Sequence, residues 1–471
     1  MPFLTRLRRP GARKAGMAAL TVALAVFLAA CGQDYPESVF HQRTDFNRDV
    51  DFLFKLLIYA GTAVFIFVEA ILVWTLIKYR KRPGQPAPEH VHGNTTLEIT
   101  WTVVPLLILI VIAIPTVRTI FKTQAKARSD ALQVEVIGHQ WWWEFRYPQY
   151  TTAAAGGRVD TLVTANELYL PLGKTVNFTL KSRDVLHSFW IPALAGKRDV
   201  ITNHVNYLWF TPDSTTSNAW NGACAEYCGT SHANMRFKAF TVAQADFDSW
   251  AAHQQTAGAG ATVAANPIST DSASKVTQPT APMGARVDPT KNLSGSAQMA
   301  GPTSPGSGPS GVGVPKAPNA VNANVTQAGF VAYPKEKIPA YAVPRTPMPT
   351  NLRFDDNALA GGNVANGAKL VQNGMCIACH AVRGVPTMLG NVGPNLTHVA
   401  SRTTIAAGLY PNDAQHLARW VKNANAMKPG VAMPSFGLNE YDPVNLKGPV
   451  KVGGFTDQQI ADIVAYLQSL K

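Results

Sequence analysis

Two long apolar runs dominate the first quarter of the chain. The run over residues 53–77 has Lys55 and Glu69 as its only charged residues, and the run over residues 101–117 has none. About 20 apolar residues suffice to span a bilayer. We therefore predict two membrane-spanning helices. The predicted segments are helix one over residues 53–78, a loop over 79–97 and helix two over 98–119.

Charges beside these runs predict their orientation. Basic residues follow the first run directly at positions 78–82, and such clusters stay in the cytoplasm. Residues 1–30 have the layout of a secretory signal, with a basic start, a short apolar stretch and small residues at the end. Residues 31–52 and everything after helix two are therefore predicted to lie outside the cytoplasm.

The end of the signal carries its own motif. Leu28-Ala29-Ala30-Cys31-Gly32 resembles a bacterial lipoprotein processing site, in which Cys31 becomes the lipidated N-terminus. A signal cleaved without lipidation and an uncleaved anchor are the alternatives.

Short β-type patterns follow the second helix. Residues 120–255 contain brief runs of Val, Thr and aromatic residues separated by Gly, Pro and Asn, and residues 175–180 alternate between polar and apolar. This pattern predicts an all-β sandwich or barrel.

The next segment, 256–350, loses this pattern. The 79 residues between Trp250 and Phe330 include no aromatic residue, and such a composition buries too little apolar surface to offset the entropy of ordering. We predict a disordered linker with a root-mean-square span of roughly 45–55 Å. It is either a tether that lets the last domain swing or only a spacer.

Helical periodicity returns in residues 351–471. Thr456 and Gln459 have the spacing of a capping box. An apolar stripe follows at helical spacing. Its members are Ile460, Ile463, Val464, Leu467 and Leu470. These features predict a small all-α domain.

Composition agrees with a membrane protein and argues against a nucleic-acid partner. Charged residues are 15% of the chain, against about 25% in an average soluble domain. The net charge is +13, but five positive charges lie in the first 14 residues, within the predicted signal. Removal of the signal therefore weakens the case for nucleic acid, and we predict none.

One group of residues in the β region has the composition of a copper site. It comprises His187, Cys224, Glu226, Cys228, His232 and Met235. Thiolates, imidazoles and a thioether are soft ligands that favour copper, and zinc rarely uses methionine. A disulfide between the two cysteines, a core role for His187 and a structural zinc module are the alternatives.

This group resembles the binuclear CuA site of subunit II of the haem-copper cytochrome c oxidases. The family pattern C-x-E-x-C-x-x-x-H-x-x-M is matched from Cys224 to Met235, and the aromatic stretch Gly138-His139-Gln140-Trp141-Trp142-Trp143 is similar too. The resemblance covers roughly residues 40–250. It implies a cupredoxin-like domain over 120–255 behind a two-helix membrane hairpin.

The resemblance also implies residue roles. Cys224 and Cys228 would bridge two coppers, His187 and His232 would each bind one, and Met235 would be a weak ligand. Glu226 would supply its main-chain carbonyl, and its carboxylate would reach a Mg²⁺ ion at the boundary with subunit I.

Three further residues receive roles from the family, each with a simpler alternative. Trp141 would receive electrons from cytochrome c, although clustered tryptophans are usually core. Glu98 would stand at the mouth of a proton path, although a glutamate at the membrane interface is ordinarily just solvated. Glu69 is explained by packing against subunit I. Thr202-Asn203-His204 departs from the family's Pro-Gly-Arg, which affects the expected subunit I contact.

The last domain carries a haem attachment motif. Cys376-Ile377-Ala378-Cys379-His380 is C-x-x-C-H, in which two thiols bond the haem and the histidine binds its iron. The domain resembles class I cytochromes c, which implies Met433 of a Met-Pro pair as the second axial ligand. Met427, His398 and His416 are the competitors for that position.

These observations predict the electron-input subunit of a respiratory cytochrome c oxidase in the bacterial inner membrane. The cofactors would be CuA, covalent haem c and Mg²⁺ at the interface with subunit I. The partners would be subunit I, subunit III, and cytochrome c or another periplasmic donor. Oxygen reduction and proton pumping would belong to the complex. An anchored carrier that serves another reductase and a non-redox assembly subunit are the alternatives.

Overall fold

The computed structural model describes residues 37–39, 42–84, 92–125, 129–153, 159–213, 217–262 and 329–471, together with positions 21, 22 and 25. The predicted lipidation site Cys31, most of the signal and the centre of the predicted linker lie outside these residues. Each described part is built from the local patterns in its sequence.

Among the described residues, two helices are long and apolar enough to cross a membrane, α1 (Asp45–Lys78) and α2 (Thr95–Gln124). Both are longer than the predicted spans because polar caps set their starts. Thr44 and Asn94 each accept a hydrogen bond from the backbone N–H three residues on. The apolar side chains along both helices are exposed in the isolated chain.

The extramembrane start of α1 is attached to the β domain. Arg48 pairs with Asp213 at 2.7 Å, Asp45 accepts a hydrogen bond from the N–H of Thr211, and Phe46 is buried in the β-domain core. Residues 45–52 are therefore helical, whereas the sequence placed them in a segment that precedes the first helix.

In the described part of the β domain, ten strands form two five-stranded sheets. The strands are β1 (Leu132–His139), β2 (Trp142–Ala153), β3 (Val159–Ala165), β4 (Glu167–Pro171), β5 (Val176–Ser182), β6 (His187–Trp190), β7 (Arg198–Val200), β8 (Asn206–Phe210), β9 (Asn218–Cys224) and β10 (Arg236–Val242). The sheet orders are β3-β2-β1-β5-β8 and β4-β10-β9-β6-β7.

Two strand pairs, β1 with β5 and β4 with β10, are parallel, and the other pairs are antiparallel. In β5 the alternation predicted from the sequence is confirmed, because Val176, Phe178 and Leu180 are fully buried. Aromatic side chains such as Trp143 and Phe237 fill the core. Helix α3 (Gln244–Gln254) closes the domain.

Both described ends of the predicted linker are packed, which corrects its bounds of 256–350. Ala261 belongs to the core of the C-terminal domain, whereas Phe330 and Tyr333 belong to the core of the β domain. Aromatic rings in 329–350 bury against the β domain, and small residues in 258–262 allow close backbone contact. The composition of the whole segment concealed both effects.

The C-terminal domain is mainly helical. Its helices are α4 (Val364–Gln372), α5 (Ala414–Lys422), α6 (Ala424–Met427) and α7 (Asp457–Ser469), and its short strands are β11 (Thr404–Ile405), β12 (Tyr410–Pro411), β13 (Tyr441–Asp442) and β14 (Gly448–Pro449). The capping box of Thr456 and Gln459 is present, and the predicted apolar stripe of α7 is buried. Both predictions are confirmed.

Candidate metal sites

The six residues predicted as copper ligands converge at one end of the β domain. His187 begins β6 and Cys224 ends β9. These strands are antiparallel neighbours, and Cys224 pairs with Phe189, two residues after His187. The loop after Cys224 then carries Cys228, His232 and Met235 back to the start of β10. Strand pairing therefore brings together residues that are far apart in the sequence.

The ligand atoms lie within contact of one another. The Cys224 and Cys228 Sγ atoms are 3.8 Å apart, and the Nδ1 atoms of His187 and His232 lie 3.9 Å and 3.6 Å from Cys224 Sγ and Cys228 Sγ, respectively. Met235 Sδ is 3.8 Å from Cys228 Sγ. The main-chain oxygen of Glu226 is 3.2 Å from Cys224 Sγ.

This arrangement fits bound metal. Two ligand atoms on one tetrahedral ion, with bonds of about 2.0–2.3 Å, lie roughly 3.3–3.8 Å apart, close to the spacings observed here. The thiols of Cys224 and Cys228 are free, so these residues do not form the disulfide considered as an alternative. Gly138 leaves room for the imidazole, because a Cβ atom there would lie 2.7 Å from His187 Cδ2.

Asp184 fixes the ring of His187, a role that the sequence analysis did not assign. Its Oδ1 atom lies 2.8 Å from His187 Nε2, and Oδ2 accepts a hydrogen bond from the N–H of Gln140. Burial alone would raise the pKa of Asp184, but these hydrogen bonds outweigh it and lower the pKa. His187 therefore donates through Nε2, which leaves the Nδ1 lone pair facing Cys224. The spacing of three residues was the available signal.

Electrostatics favours one thiolate in this cluster. A hydrogen bond from the Cys228 thiol lowers the pKa of Cys224, and the same hydrogen bond raises the pKa of Cys228. A thiolate is the form that binds metals. The pair is thus prepared to bind a soft cation.

Trp141 connects this cluster to the C-terminal domain. It lies in the turn between β1 and β2, and its indole N–H donates to the main-chain oxygen of Cys228 at 2.8 Å. On the opposite side, Lys428 Nζ donates to the Trp141 oxygen at 2.5 Å. Gly430 also lies against the ring, since a Cβ atom there would be 3.0 Å from Trp141 Cη2.

A hydrogen bond from Ser231 strengthens the same contact. Ser231 directly precedes the predicted copper ligand His232, and its hydroxyl donates to the oxygen of Pro429 at 2.5 Å. Residues 428–430, which we call the docking loop, therefore contact the loop between Cys224 and Met235 directly. Nothing in the local sequence identifies this partner.

The haem attachment motif forms a short turn. Cys376 and Cys379 lie in or beside the 3₁₀ turn Met375–Ala378, and His380 Nδ1 lies 2.8 Å from the oxygen of Pro394. A carbonyl only accepts, so Nδ1 is the donor and Nε2 keeps the lone pair that an iron ligand needs. Gly393 permits this contact, because a Cβ atom there would lie 2.6 Å from His380 Cε1. The residues fit a covalent haem.

The candidates for the second axial ligand differ in environment. Met433 is half-buried in a loop, where Asn425 donates to its main-chain oxygen at 3.0 Å. Met427 is buried in the hydrophobic core. His398 lies 3.2 Å from the oxygen of Thr256, and His416 is paired with Asp413.

The remaining predicted residues lie apart from these clusters. Glu98 is in the first turn of α2 and Glu69 is within α1, and both are exposed in this chain. Among the described residues, the one group of three possible metal ligands found is His187, Cys224 and Cys228, and it does not include the Glu226 carboxylate. The roles of Glu98 and Glu69 and the magnesium site stay predictions.

The fold and the two clusters fit a membrane subunit with two cofactor sites, and comparisons with known proteins identify its family. Residues 43–119 match the transmembrane domain of cytochrome c oxidase subunit II, and residues 132–242 match its periplasmic domain. Residues 364–471 match cytochrome c. These matches imply copper and haem c as cofactors.

Curated relatives of this chain are named as subunit 2 of cytochrome c oxidase. Cytochrome c oxidase subunit 2 of Alkalihalophilus pseudofirmus is 27% identical over 414 residues, which are 87% of this chain and 83% of that protein. The Bacillus subtilis protein is 38% identical over 194 residues, 38% of this chain and 52% of its own length. The probable subunit 2 of Rickettsia bellii is 31% identical over 214 residues, 43% of this chain and 78% of that protein.

The chain therefore belongs to the cytochrome c oxidase subunit II family and carries an additional cytochrome c domain at its C-terminus.

Proposed function

We propose that this chain is the electron-input subunit of a membrane-bound cytochrome c oxidase. The haem domain receives electrons from an external cytochrome c or a similar donor and passes them to the copper site of the β domain. From there they enter subunit I, where oxygen is reduced to water and protons are pumped. One observation carries this proposal: two thiol sulfurs, two imidazole nitrogens, one thioether sulfur and one main-chain oxygen converge in a single cluster.

Each residue of the copper cluster has a defined task. Cys224 and Cys228 would hold the copper pair through their thiolates, and His187 and His232 would supply the imidazole ligands. Met235 and the main-chain oxygen of Glu226 are the weaker ligands. A copper pair held here supplies reversible one-electron chemistry, and the rigid strand ends limit how far the ligands move when the charge changes.

The haem domain uses four residues in the same way. Cys376 and Cys379 hold the haem covalently, while His380 and Met433 bind its iron. Ligation by histidine and methionine raises the reduction potential into the range that suits an electron carrier late in respiration. The hydrogen bond from His380 to Pro394 supports this role because it orients the ring.

Trp141 is the entry point to the copper site. Its indole N–H bonds to the Cys228 main-chain oxygen, and its ring and main chain meet the docking loop that leads to Met433. Trp141 therefore contacts both the copper cluster and the haem domain. The simpler role of a core aromatic does not explain the contact with the docking loop.

The membrane arrangement follows from the two helices and the flanking charges. Helices α1 and α2 anchor the chain as a multi-pass protein in the bacterial inner membrane, with both redox domains on the periplasmic side and Cys31 acylated. The exposed apolar faces of the helices pack on subunit I and, in the complex, beside subunit III. Glu98 stands at the entrance of a proton path, and the Glu226 carboxylate contributes a magnesium ligand at the boundary with subunit I.

An absorption and metal-content experiment tests this proposal. The purified full chain is expected to contain copper and iron, with c-type haem bands and copper-thiolate bands. Replacement of both Cys224 and Cys228 by Ser removes the ligands that bridge the metals. The copper and its bands should therefore be lost while the haem bands remain.

The reciprocal variant provides the control. Cys376→Ser with Cys379→Ser should remove covalent haem and leave the copper bands in place. Copper bands that survive in the Cys224→Ser, Cys228→Ser chain would show that the assignment of these thiols is wrong.

A further inference from the structure

The segment that leaves the β domain is attached to the other domain. Residues 258–262, which we call the first strap, pack on the haem domain. The N–H of Ala259 donates to the oxygen of Lys471 at 3.2 Å, and Ala261 is buried in the haem-domain core. Gly258 and Gly260 have no space for a Cβ atom, which would lie 2.2 Å from the Thr397 oxygen and 2.0 Å from Ser469 Oγ, respectively.

The segment that returns toward the haem domain is attached to the β domain. Residues 329–342, the second strap, bury Phe330, and the ring of Tyr333 stacks on Phe240 with centroids 4.9 Å apart. The Tyr341 hydroxyl donates to the oxygen of Ala219 at 3.0 Å. Lys238 Nζ also donates to the oxygen of Ala342. Polar and apolar contacts thus fasten this strap along its length.

The two straps are crossed, in the sense that the strap following the β domain packs on the haem domain and the strap preceding the haem domain packs on the β domain. The chain passes from the β domain to the haem domain between α3 and residue 258, and it does so a second time between residue 342 and the haem-domain residue Leu352. Residue 262, the last described residue before 263–328, therefore lies on the haem domain, and the first described residues after it lie on the β domain. Both interdomain crossings are short, so the length of 263–328 does not set the distance between the domains.

A buried carboxylate adds a third attachment. Glu167 Oε1, at the start of β4, accepts hydrogen bonds from Thr403 N and Thr403 Oγ1 at 2.6 Å each and from Thr404 N at 3.2 Å. Glu167 is only 4% exposed. The buried guanidinium of Arg402 attracts this carboxylate. Burial raises the pKa of Glu167, whereas these hydrogen bonds and Arg402 act in the opposite direction, so the haem domain supplies the partners that a buried carboxylate needs.

A second polar contact lies elsewhere on the same interface. Arg383 of the haem domain donates to Thr152 Oγ1 at 2.6 Å and to the oxygen of Gln255 at 2.7 Å. Together with the docking loop on Trp141, the interface is thus held at several separate points. Rotation of the haem domain about any one of them breaks the others.

We propose that the crossed straps and the Glu167 carboxylate hold the haem domain in one docked position, with the docking loop on Trp141. The fused cytochrome is then a fixed relay and not a shuttle on a long tether, and Glu167 is a positioning residue for electron transfer between the domains. This proposal rests on the proposed function.

Lengthening of the segment 263–328 separates the two arrangements. Insertion of 132 Gly and Ser residues between Gly308 and Pro309 triples its 66 residues. For a tethered shuttle, the effective concentration falls roughly as the −3/2 power of length, so electron transfer from the haem domain to the copper site slows about 5-fold. For the docked domain, the rate measured by flash reduction of the full chain should not change.

Substitution of Glu167 tests the attachment itself. Glu167→Ala removes the acceptor of three hydrogen bonds, and we expect interdomain electron transfer at least about 10-fold slower. Hydrogen exchange at the Thr403 and Thr404 amides should become faster, a readout that does not depend on the cofactors. Glu167→Gln keeps Oε1 as an acceptor and should show a smaller change. Glu135→Ala, which removes a carboxylate that pairs with Lys181 inside the β domain, is the matched control.

The outcomes decide the proposal. A 5-fold slower rate in the insertion variant, or an unchanged rate in Glu167→Ala, would overturn it. Failure of the proposed function is distinguishable, because the unaltered chain would then lack copper bands or would show no electron transfer between the domains. Copper and haem bands that stay unchanged in Glu167→Ala exclude loss of the sites as the cause of a slower rate.

Discussion

At the scale of single residues, Met433 and Met427 of the haem domain have opposite environments. Met433 is half-buried in a loop held by Asn425, whereas Met427 is 4% exposed within the core. Met433→Ala should therefore give high-spin iron or a much lower reduction potential, with little loss of stability. Met427→Ala should destabilise the domain by about 2–5 kcal/mol and leave the haem spectrum unchanged.

Absorption spectra, redox titration and thermal unfolding of the two variants measure this difference. A low-spin spectrum retained in Met433→Ala would contradict the ligand assignment. If Met427→Ala changed the spectrum instead, Met427 would be the axial ligand.

The residue scale also shows where prediction from sequence works. Cys224, Cys228, His232 and Met235 fall within twelve residues, so their spacing alone indicated a shared site. Asp184 was missed, because a carboxylate three residues before a histidine is common in sequences and does not by itself show that the carboxylate orients the ring.

At the scale of elements, the docking loop depends on two features of Gly430. Its φ angle is +87°, and its Cα lies so close to Trp141 that a Cβ atom would contact the ring. Gly430→Ala should strain the backbone by about 1–2 kcal/mol and also push the loop off the indole. We expect slower electron transfer between the domains, measured by flash reduction.

Gly453 offers a matched control for the backbone effect. Its φ angle is +75°, but no atom lies within 4 Å of a Cβ built there. Gly453→Ala should carry a similar strain without loss of electron transfer. Equal rates in the two variants would show that contact with Trp141 is not the cause.

Local patterns predicted elements well when the interactions that form them are local. The capping box of Thr456 and the alternation in β5 were readable because their partners lie within a few residues. The straps were not readable, because Tyr333 packs on residues about 90 and 160 positions away. The low apolar content of the segment as a whole then predicted a linker whose ends, at 256 and 350, included the packed straps.

At the scale of the whole molecule, a pair of histidines makes the docked state sensitive to pH. His253 of α3 and His398 of the haem domain lie with ring centroids 4.4 Å apart. Burial lowers the pKa of both, and repulsion from His253 helps to lower that of His398 to about 4. Arg402 acts on His398 in the same direction, whereas hydrogen bonds to Thr256 and Lys471 oppose it.

The sign of the effect follows from these shifts. An exposed histidine has a pKa of about 6.5, so separated domains bind protons more readily than docked domains. The contribution of these histidines to docking should be fully present above about pH 6.5 and should be lost as the pH falls from there toward 4, whereas the raised pKa of Glu167 acts in the opposite sense. Hydrogen exchange of residues 258–262 and the interdomain electron-transfer rate, both measured from pH 8 to pH 5, should reveal it.

His253→Phe isolates the contribution of the pair. Phenylalanine retains an aromatic ring beside His398, and His253 Nε2 has no hydrogen-bond partner among the described residues, so this nitrogen loses none. The variant should keep the docked domain to a lower pH, because His398 then protonates without a charged neighbour. His416→Gln, at a histidine paired with Asp413 within the haem domain, should leave the pH profile unchanged. An identical profile for His253→Phe and the unaltered chain would remove this pair as the origin of the acid sensitivity.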